Sequence, residues 1–463
     1  MKKHHLIFAS SAIFTLLFYN ESVGVNLAIF GLVLILLVCY FFQDRFTNRS
    51  HLVLVIASVL SCLAFAWYGD FVSFLALVFS LIFLQFQTQN SELKIIQSFP
   101  VVLINLFASL GRLLLFNQWL PKRKVDNYIA KKIIAYCIIP AFFLVLFYVV
   151  YSFGSDHFSG LFTGYELDLN GTQFILMLLL GLYVSFSFWN YWVPDFCNDV
   201  NSKLDNDFSA ENKVQQQPTF SFLDLDFERK SGEITLILLN LMLLIFIATY
   251  NYEQFFETMA TPAVMSKLSA ATHERVNAVV FSIVMAVGVV LFYFKGGFNF
   301  DAKSKNLIRL AKIWIFLNAI LIISTSIKNS EYVSYFGLTY KRLGVYAFLI
   351  LGLIGLLFTF FKIAKQKTNA YLFNQMVWCF YGMLLLCSFV NWGDLITTYN
   401  IAVNKGVEPE YLNSLDFNEA YRERYFPATN NEIDLENDGD VLYEQNKSFL
   451  SKALYYESIT VKK

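Results

Sequence analysis

Apolar runs long enough to cross a bilayer recur from one end of this chain to the other. A crossing helix needs about 20 predominantly apolar residues. Hydrocarbon offers no water to open backbone groups, so a crossing segment must be a helix or part of a closed barrel. These runs are continuous rather than alternating, which selects helices. They cover 5–19, 25–42, 52–68, 71–86, 133–151, 173–192, 234–250, 276–293, 308–327, 343–361 and 371–390. The first and fourth are short and must reach into the interface or cross where the bilayer thins. Composition agrees, with 57% hydrophobic and only 15% charged residues, where soluble chains carry about 25% charged. The sequence predicts an all-α polytopic transmembrane helical bundle of about eleven spans over 1–391. An acidic, partly disordered helical tail over 392–463 follows.

A further stretch, 99–120, is long enough to be a twelfth span. It contains Pro100, Asn105, Gly111 and Arg112, and the basic Lys122, Arg123 and Lys124 come directly after it. Lysine and arginine in short loops favour the cytoplasmic side. If 99–120 crossed, those cations and Lys131 and Lys132 would lie opposite Lys2 and Lys3. The stretch is therefore read as re-entrant or interfacial, with twelve spans as the rival. With the amino terminus inside, most basic residues fall on the cytoplasmic side, and the outer loops keep Lys267, Arg275, Lys328, Lys341 and Arg342. This places the chain in the inner (cytoplasmic) membrane with a periplasmic tail. The first run reads as a retained anchor, because no small-residue cleavage site follows it.

The tail carries helical spacing. Leu395, Ile396 and Tyr399 share a face over 391–404, which predicts a helix packed on the membrane surface or on the 252–275 loop. The stretch 408–426 should fold back beside it, anchored by Tyr411, Leu412, Leu415 and Tyr425. The stretch 431–440 reads as a mobile acidic turn, and 447–459 as one more helix.

Few residues carry chemistry. The spacing Asp434, Glu436, Asp438, Gly439 imitates a calcium loop, but its twelfth position is Gln445, so an acidic surface turn is the better account. No phosphate-cradling glycine loop, GxSxG or HExxH occurs, which disfavours nucleotide use and hydrolase or zinc chemistry. The net formal charge is zero, which disfavours nucleic-acid binding. Six scattered cysteines form no metal or disulfide pattern and read as small buried hydrophobes. Five polar positions stand out. Arg112 is the one charge central to a long apolar stretch, and it fits either a headgroup contact or a snorkelling anchor. His273, Glu274 and Arg275 form a dense ionisable triplet at the mouth of a span. Arg342 lies on the side that disfavours cations, with Glu331 and Glu21 as candidate partners.

Four segments together resemble a bacterial membrane family, the domains of unknown function 4153 and 4173. They are FYNESVGVNLAIF at 18–30, THERVNAVVFSIVMAVGV at 272–289, EYVSYFGLTYKRLGVYAFLI at 331–350, and NWGDLITTYNI at 391–401 followed by EYLNSLD at 410–416. The pieces GLT-x-x-R and YNI…YL are the most specific. The resemblance implies a multi-spanning inner-membrane protein and no established activity. A transport or permease-like component for a small or lipid-linked solute is the leading expectation. The alternatives are a non-catalytic scaffold or sensory subunit of a cell-envelope complex, and an intramembrane lipid-modifying enzyme. An enzyme is the less favoured reading. The expected partners are membrane lipids and an envelope protein, with no cofactor, metal, nucleotide or nucleic acid.

Overall fold

A computed structural model describes residues 3–121, 170–210, 222–253, 265–419 and 435–459, with Lys213 and scattered positions over 132–151. Among the described residues the chain is helical, and its only β feature is one isolated bridge, Asp207 to Lys367. Every apolar run coincides with a helix; in 133–151 the described positions are helical and begin with a π-helical turn at Ile134–Ile138. Eight described helices are long and apolar enough to cross a membrane, and Lys3–Phe18, Val25–Phe41 and Ala278–Tyr293 are shorter apolar ones. The protein is therefore an all-α integral membrane protein. Its chain forms two compact units. The first comprises Met1–Glu92, Gln97–Pro194 and Glu444–Tyr456, and the second Leu93–Ile96, Asp195–Tyr443 and Glu457–Lys463.

The first unit contains α1 (Lys3–Phe18), α2 (Val25–Phe41), α3 (Arg49–Tyr68), α4 (Phe71–Gln89), α5 (Ser98–Leu114), α6 (Phe116–Trp119) and α7 (Gly171–Trp189). Short polar residues start these helices by taking an orphan backbone N–H. Asn48 accepts from Ser50, Asp70 from Ser73 and Asn170 from Gln173. Gly69, at φ +66°, stops α3 in the left-handed region that glycine tolerates. Small residues let the helices approach closely where lipid supplies no hydrophobic drive. A Cβ on Gly181 of α7 would meet the Phe14 ring at 2.8 Å and the Ser11 carbonyl at 3.1 Å on α1. Ser58 of α3 donates to its own Leu54 carbonyl at 2.7 Å and to the α4 carbonyl of Ser80 at 3.2 Å.

The segment 444–456 completes this unit. It does not form the α-helix expected over 447–459. It runs as turns into a 3-10 turn at Leu454–Ser458. Its carbonyls are committed elsewhere: Val25 N–H donates to Lys452 O at 3.1 Å and Asn26 N–H to Leu450 O at 2.9 Å. These are first-turn donors of α2 that have no partner within the helix. Glu21 accepts from the Ser448 and Ser451 hydroxyls.

The second unit contains α8 (Asp195–Asn201), α9 (Leu225–Tyr252), α10 (Met265–Tyr293), α11 (Lys305–Phe336), α12 (Tyr340–Ala364), α13 (Asn369–Cys387), α14 (Trp392–Val403) and α15 (Pro409–Asn413). Its core joins Leu236, Val279, Ile283, Leu307, Leu321 and Leu356 from α9 to α12. Polar side chains bridge helices through backbone carbonyls. Trp314 Nε1 donates to Ala286 O at 3.1 Å and Asn240 Nδ2 to Leu310 O at 3.1 Å. The end of α10 is sealed in this way. Lys362, wholly buried, donates from Nζ to Phe294 O at 2.6 Å, and Asn369 donates to Leu291 O at 3.0 Å. A cation at that pole also opposes the negative end of the helix dipole. Arg229 bridges Asp301 at 2.9 Å and Asp226 at 2.6 Å.

A further helix, α16 (Leu435–Asn446), replaces the acidic turn expected over 431–440. A calcium loop would have to turn where this backbone is helical, and Asp434 lies outside the described residues.

Candidate functional site

Two polar constellations stand out, one in each unit. The first surrounds the end of α7. The last carbonyls of a helix have no partner within it, and here α4 and α5 supply donors. Gln85 Nε2 reaches Phe188 O at 2.8 Å and Gln89 Nε2 reaches Trp189 O at 3.2 Å. Arg112 Nη1 reaches Asn190 O at 2.9 Å, with the guanidinium 5.8 Å from the Phe186 ring centroid. Asn105 is satisfied on both sides by Trp192: its Nδ2 donates to the carbonyl at 2.6 Å and its Oδ1 accepts from the N–H at 2.8 Å. Arg112 is thus a cap on the negative pole of α7. Asn105, Ser109 and Arg112 recur at helical spacing along α5. The opposite stripe, Leu103, Phe107, Leu110 and Leu114, is exposed and apolar.

Beside this cap lies an apolar groove of about 370 Å³ between α2, α4, α5 and α7. Leu34, Leu77, Leu81, Val102 and Val184 form its walls, and Gln85, Asn105, Ser187 and Tyr191 its polar end. Gln85 is 2% exposed, and its Oε1 has no hydrogen-bond partner among the described residues. The Ser187 hydroxyl is also buried and unpartnered. The Tyr191 hydroxyl accepts a hydrogen bond from Asn90 Nδ2. Near the same end, Lys3 Nζ donates to Gln89 Oε1 at 2.9 Å and lies within Coulombic reach of Arg112.

The second constellation is a knot in the turn between α11 and α12. Gly337 sits at φ +80°, and a Cβ there would meet Lys405 O at 2.7 Å and Asn400 Oδ1 at 2.8 Å. Leu338 N–H donates to Asn400 Oδ1 at 2.5 Å, and Asn400 Nδ2 donates to Leu338 O at 3.1 Å and Gly406 O at 3.2 Å. Tyr411 adds a donor to Leu338 O at 3.1 Å. Val333, Leu338, Ile396, Leu412 and Leu415 form a small core beneath. The tail helix α14 therefore docks on this turn; most of the 252–275 loop, the other docking surface expected, lies outside the described residues. Arg342 donates to the carbonyls of Phe336, at 3.1 Å, and Gly337, and lies 4.4 Å from the Tyr332 ring centroid. The expected carboxylates are otherwise engaged, since Glu331 pairs with Lys328 at 3.0 Å and Glu21 holds Ser448 and Ser451. Backbone carbonyls and an aromatic face supply the negative potential instead.

Of the five residues singled out from sequence, Arg112 caps the end of α7 and Arg342 belongs to the knot. His273, Glu274 and Arg275 fall on α10, and their side chains lie outside the described residues. Among the described residues no three His, Cys, Asp or Glu side chains gather as metal ligands. The sequence reading passed over Lys3, Gln85, Gln89, Ser187 and Tyr191. The available signal was the pair Gln85 and Gln89, one turn apart at the end of an apolar run.

The knot explains why GLT-x-x-R and YNI…YL occur together, since Gly337, Leu338, Arg342, Asn400 and Tyr411 meet in it. No curated protein and no solved structure matches the chain. Residues 6–422 match the family described as domain of unknown function (DUF4153), so the chain belongs to that family.

Proposed function

We propose that this protein is a transport or permease-like component of the inner (cytoplasmic) membrane that takes a lipid-like or lipid-linked solute sideways into the groove of its first unit. The observation that carries this reading is the groove itself. Its walls are apolar, while the buried Gln85 Oε1 and Ser187 Oγ lack partners. A buried polar atom without a hydrogen bond is costly, and an amphiphile with a donor near its head relieves that cost. Filling the groove tests this. Val184→Trp is expected to abolish the amphiphile that copurifies in native mass spectrometry, while Leu180→Trp, on an exposed position of the same helix, should retain it. Equal retention by the two variants would remove the groove as the site.

The basic Lys3, Arg45 and Arg112 mark the cytoplasmic end of this unit by the positive-inside rule. The path of α5 supports a non-crossing helix. Its Phe99 lies 5.8 Å from the Phe83 ring on α4, Asn105 meets Trp192, and Arg112 meets Asn190. Helix α5 is itself long and apolar enough to cross, and it is the gathering of Asn105 and Arg112 at the end of α7 that supports the non-crossing reading. In a background freed of native cysteines, Glu92→Cys and Asp126→Cys should be labelled from the same side, and Asn20→Cys from the other. Labelling of positions 92 and 126 from opposite sides would establish a twelfth span.

A further inference from the structure

The groove reading carries a more specific inference about the occupant, and this inference rests on that reading. Lys3 and Arg112 are two cations gathered at the end of α7, Lys3 through Gln89, which donates to Trp189 O, and Arg112 directly at Asn190 O. Among the described residues neither forms an ion pair with a carboxylate. Among the described residues each spends one donor on the protein, Lys3 on Gln89 Oε1 and Arg112 on Asn190 O, and an ammonium and a guanidinium hold more. Juxtaposed like charges repel, and an anion placed between them removes that repulsion. Gln85 precedes Gln89 by four residues, so it lies about 6 Å further down α4. Its free Oε1 can only accept. Beyond it the walls are aliphatic as far as Leu77, and the volume of about 370 Å³ lies at the small end of ligand pockets.

We propose that the groove binds a single-chain phospholipid with a free hydroxyl next to its phosphate ester, a lysophospholipid. The phosphate lies against Lys3 and Arg112. The hydroxyl, on the neighbouring glycerol carbon, donates to Gln85 Oε1. The single acyl chain runs along α4 towards Leu77. A diacyl lipid carries an ester where this hydroxyl is needed, so it leaves Gln85 Oε1 unpartnered and brings a second chain. A neutral monoacylglycerol supplies the hydroxyl and leaves the two cations facing each other.

The test uses the full chain in phosphatidylcholine nanodiscs with a photoactivatable lysophosphatidic acid, crosslinks being mapped by peptide mass spectrometry. Crosslinks should fall on α4, α5 and α7. Unlabelled lysophosphatidic acid should compete at least tenfold better than monoolein, dioleoylphosphatidic acid or inorganic phosphate. Lys3→Gln and Arg112→Gln should each weaken competition roughly tenfold, the size of one charged hydrogen bond. Gln85→Leu should narrow the preference over the diacyl lipid. Arg112→Gln keeps a donor for Asn190 O, and Lys3→Gln alters an exposed position, so both variants should retain the wild-type melting profile. Equal competition by monoolein would overturn the phosphate assignment, and equal competition by the diacyl lipid the single-chain assignment. In both cases the groove would remain an amphiphile site. An absence of groove crosslinks, with Val184→Trp also leaving the copurifying amphiphile in place, would overturn the groove reading itself.

Discussion

Asn400→Ala is expected to destabilise the second unit by roughly 2–6 kcal/mol, because two groups lose their partner at about 1–3 kcal/mol each. Those groups are the Leu338 N–H and the Gly406 carbonyl, and Asn400 is wholly buried. The Leu338 carbonyl keeps its hydrogen bond from Tyr411, so it is not counted. Water cannot enter without opening the small core of Val333, Ile396, Leu412 and Leu415. Asn400→Asp retains the acceptor for Leu338 N–H and loses both donors, so it should fall between wild type and alanine. Thr398→Ala, on an exposed position of the same helix, should change stability by no more than about 0.5 kcal/mol. Thermal unfolding in detergent gives the order. Hydrogen exchange gives the place: protection should fall at 338 and across 396–412. If Asn400→Ala melts with Thr398→Ala, the knot is not a source of stability.

The apolar runs and their caps were legible because both are local. Asn48, Asp70 and Thr368 stand directly before the helices they cap, and hydropathy needs no partner to be read. The groove was not legible. Gln85, Asn105 and Ser187 lie far apart in sequence, and only the approach of α4 and α5 to the end of α7 brings them together and gives the two amides backbone targets there. Arg112 shows the difference. In sequence it is a charge in an apolar stretch, and the choice was between an anchor and a headgroup contact. In the structure its first partner is a helix-terminal carbonyl, which no linear pattern discloses. The tail divided along the same line. The helix over 391–404 has its own apolar face and forms. The stretch 447–459 has helical spacing too, yet its backbone carbonyls serve α2, and tertiary pairing overrides a weak local preference.

Gly24→Ala should release that segment from the first unit. Gly24 precedes α2, and a Cβ there would meet Ser451 C at 2.5 Å, Ser451 O at 2.6 Å and Lys452 O at 2.7 Å. All three are backbone atoms, so no side-chain rotation relieves the overlap and the segment itself must move. Moving it breaks the bonds from Val25 and Asn26 to Lys452 O and Leu450 O, and that from Ser22 N–H to Ser451 Oγ at 2.8 Å. The first two leave orphan donors at the start of α2 that water must then satisfy. The local loss for these three bonds is about 1.5–4.5 kcal/mol, because net hydrogen-bond contributions are about 0.5–1.5 kcal/mol each. Glu21→Gln provides the milder comparison. It removes the charge that accepts from Ser448 and Ser451 and leaves the backbone pairing intact, so the segment should loosen without leaving. Limited proteolysis should cut Gly24→Ala within 444–456 faster than wild type, with Glu21→Gln between them. Exchange should accelerate at the amides of 25 and 26, while the α1–α7 packing at Gly181 stays protected. A wild-type cleavage rate for Gly24→Ala would mean that the segment is not held at the start of α2. Its residues lie beyond the matched stretch 6–422, so this contact ties a segment outside the family match to the 18–30 segment that carries the family resemblance.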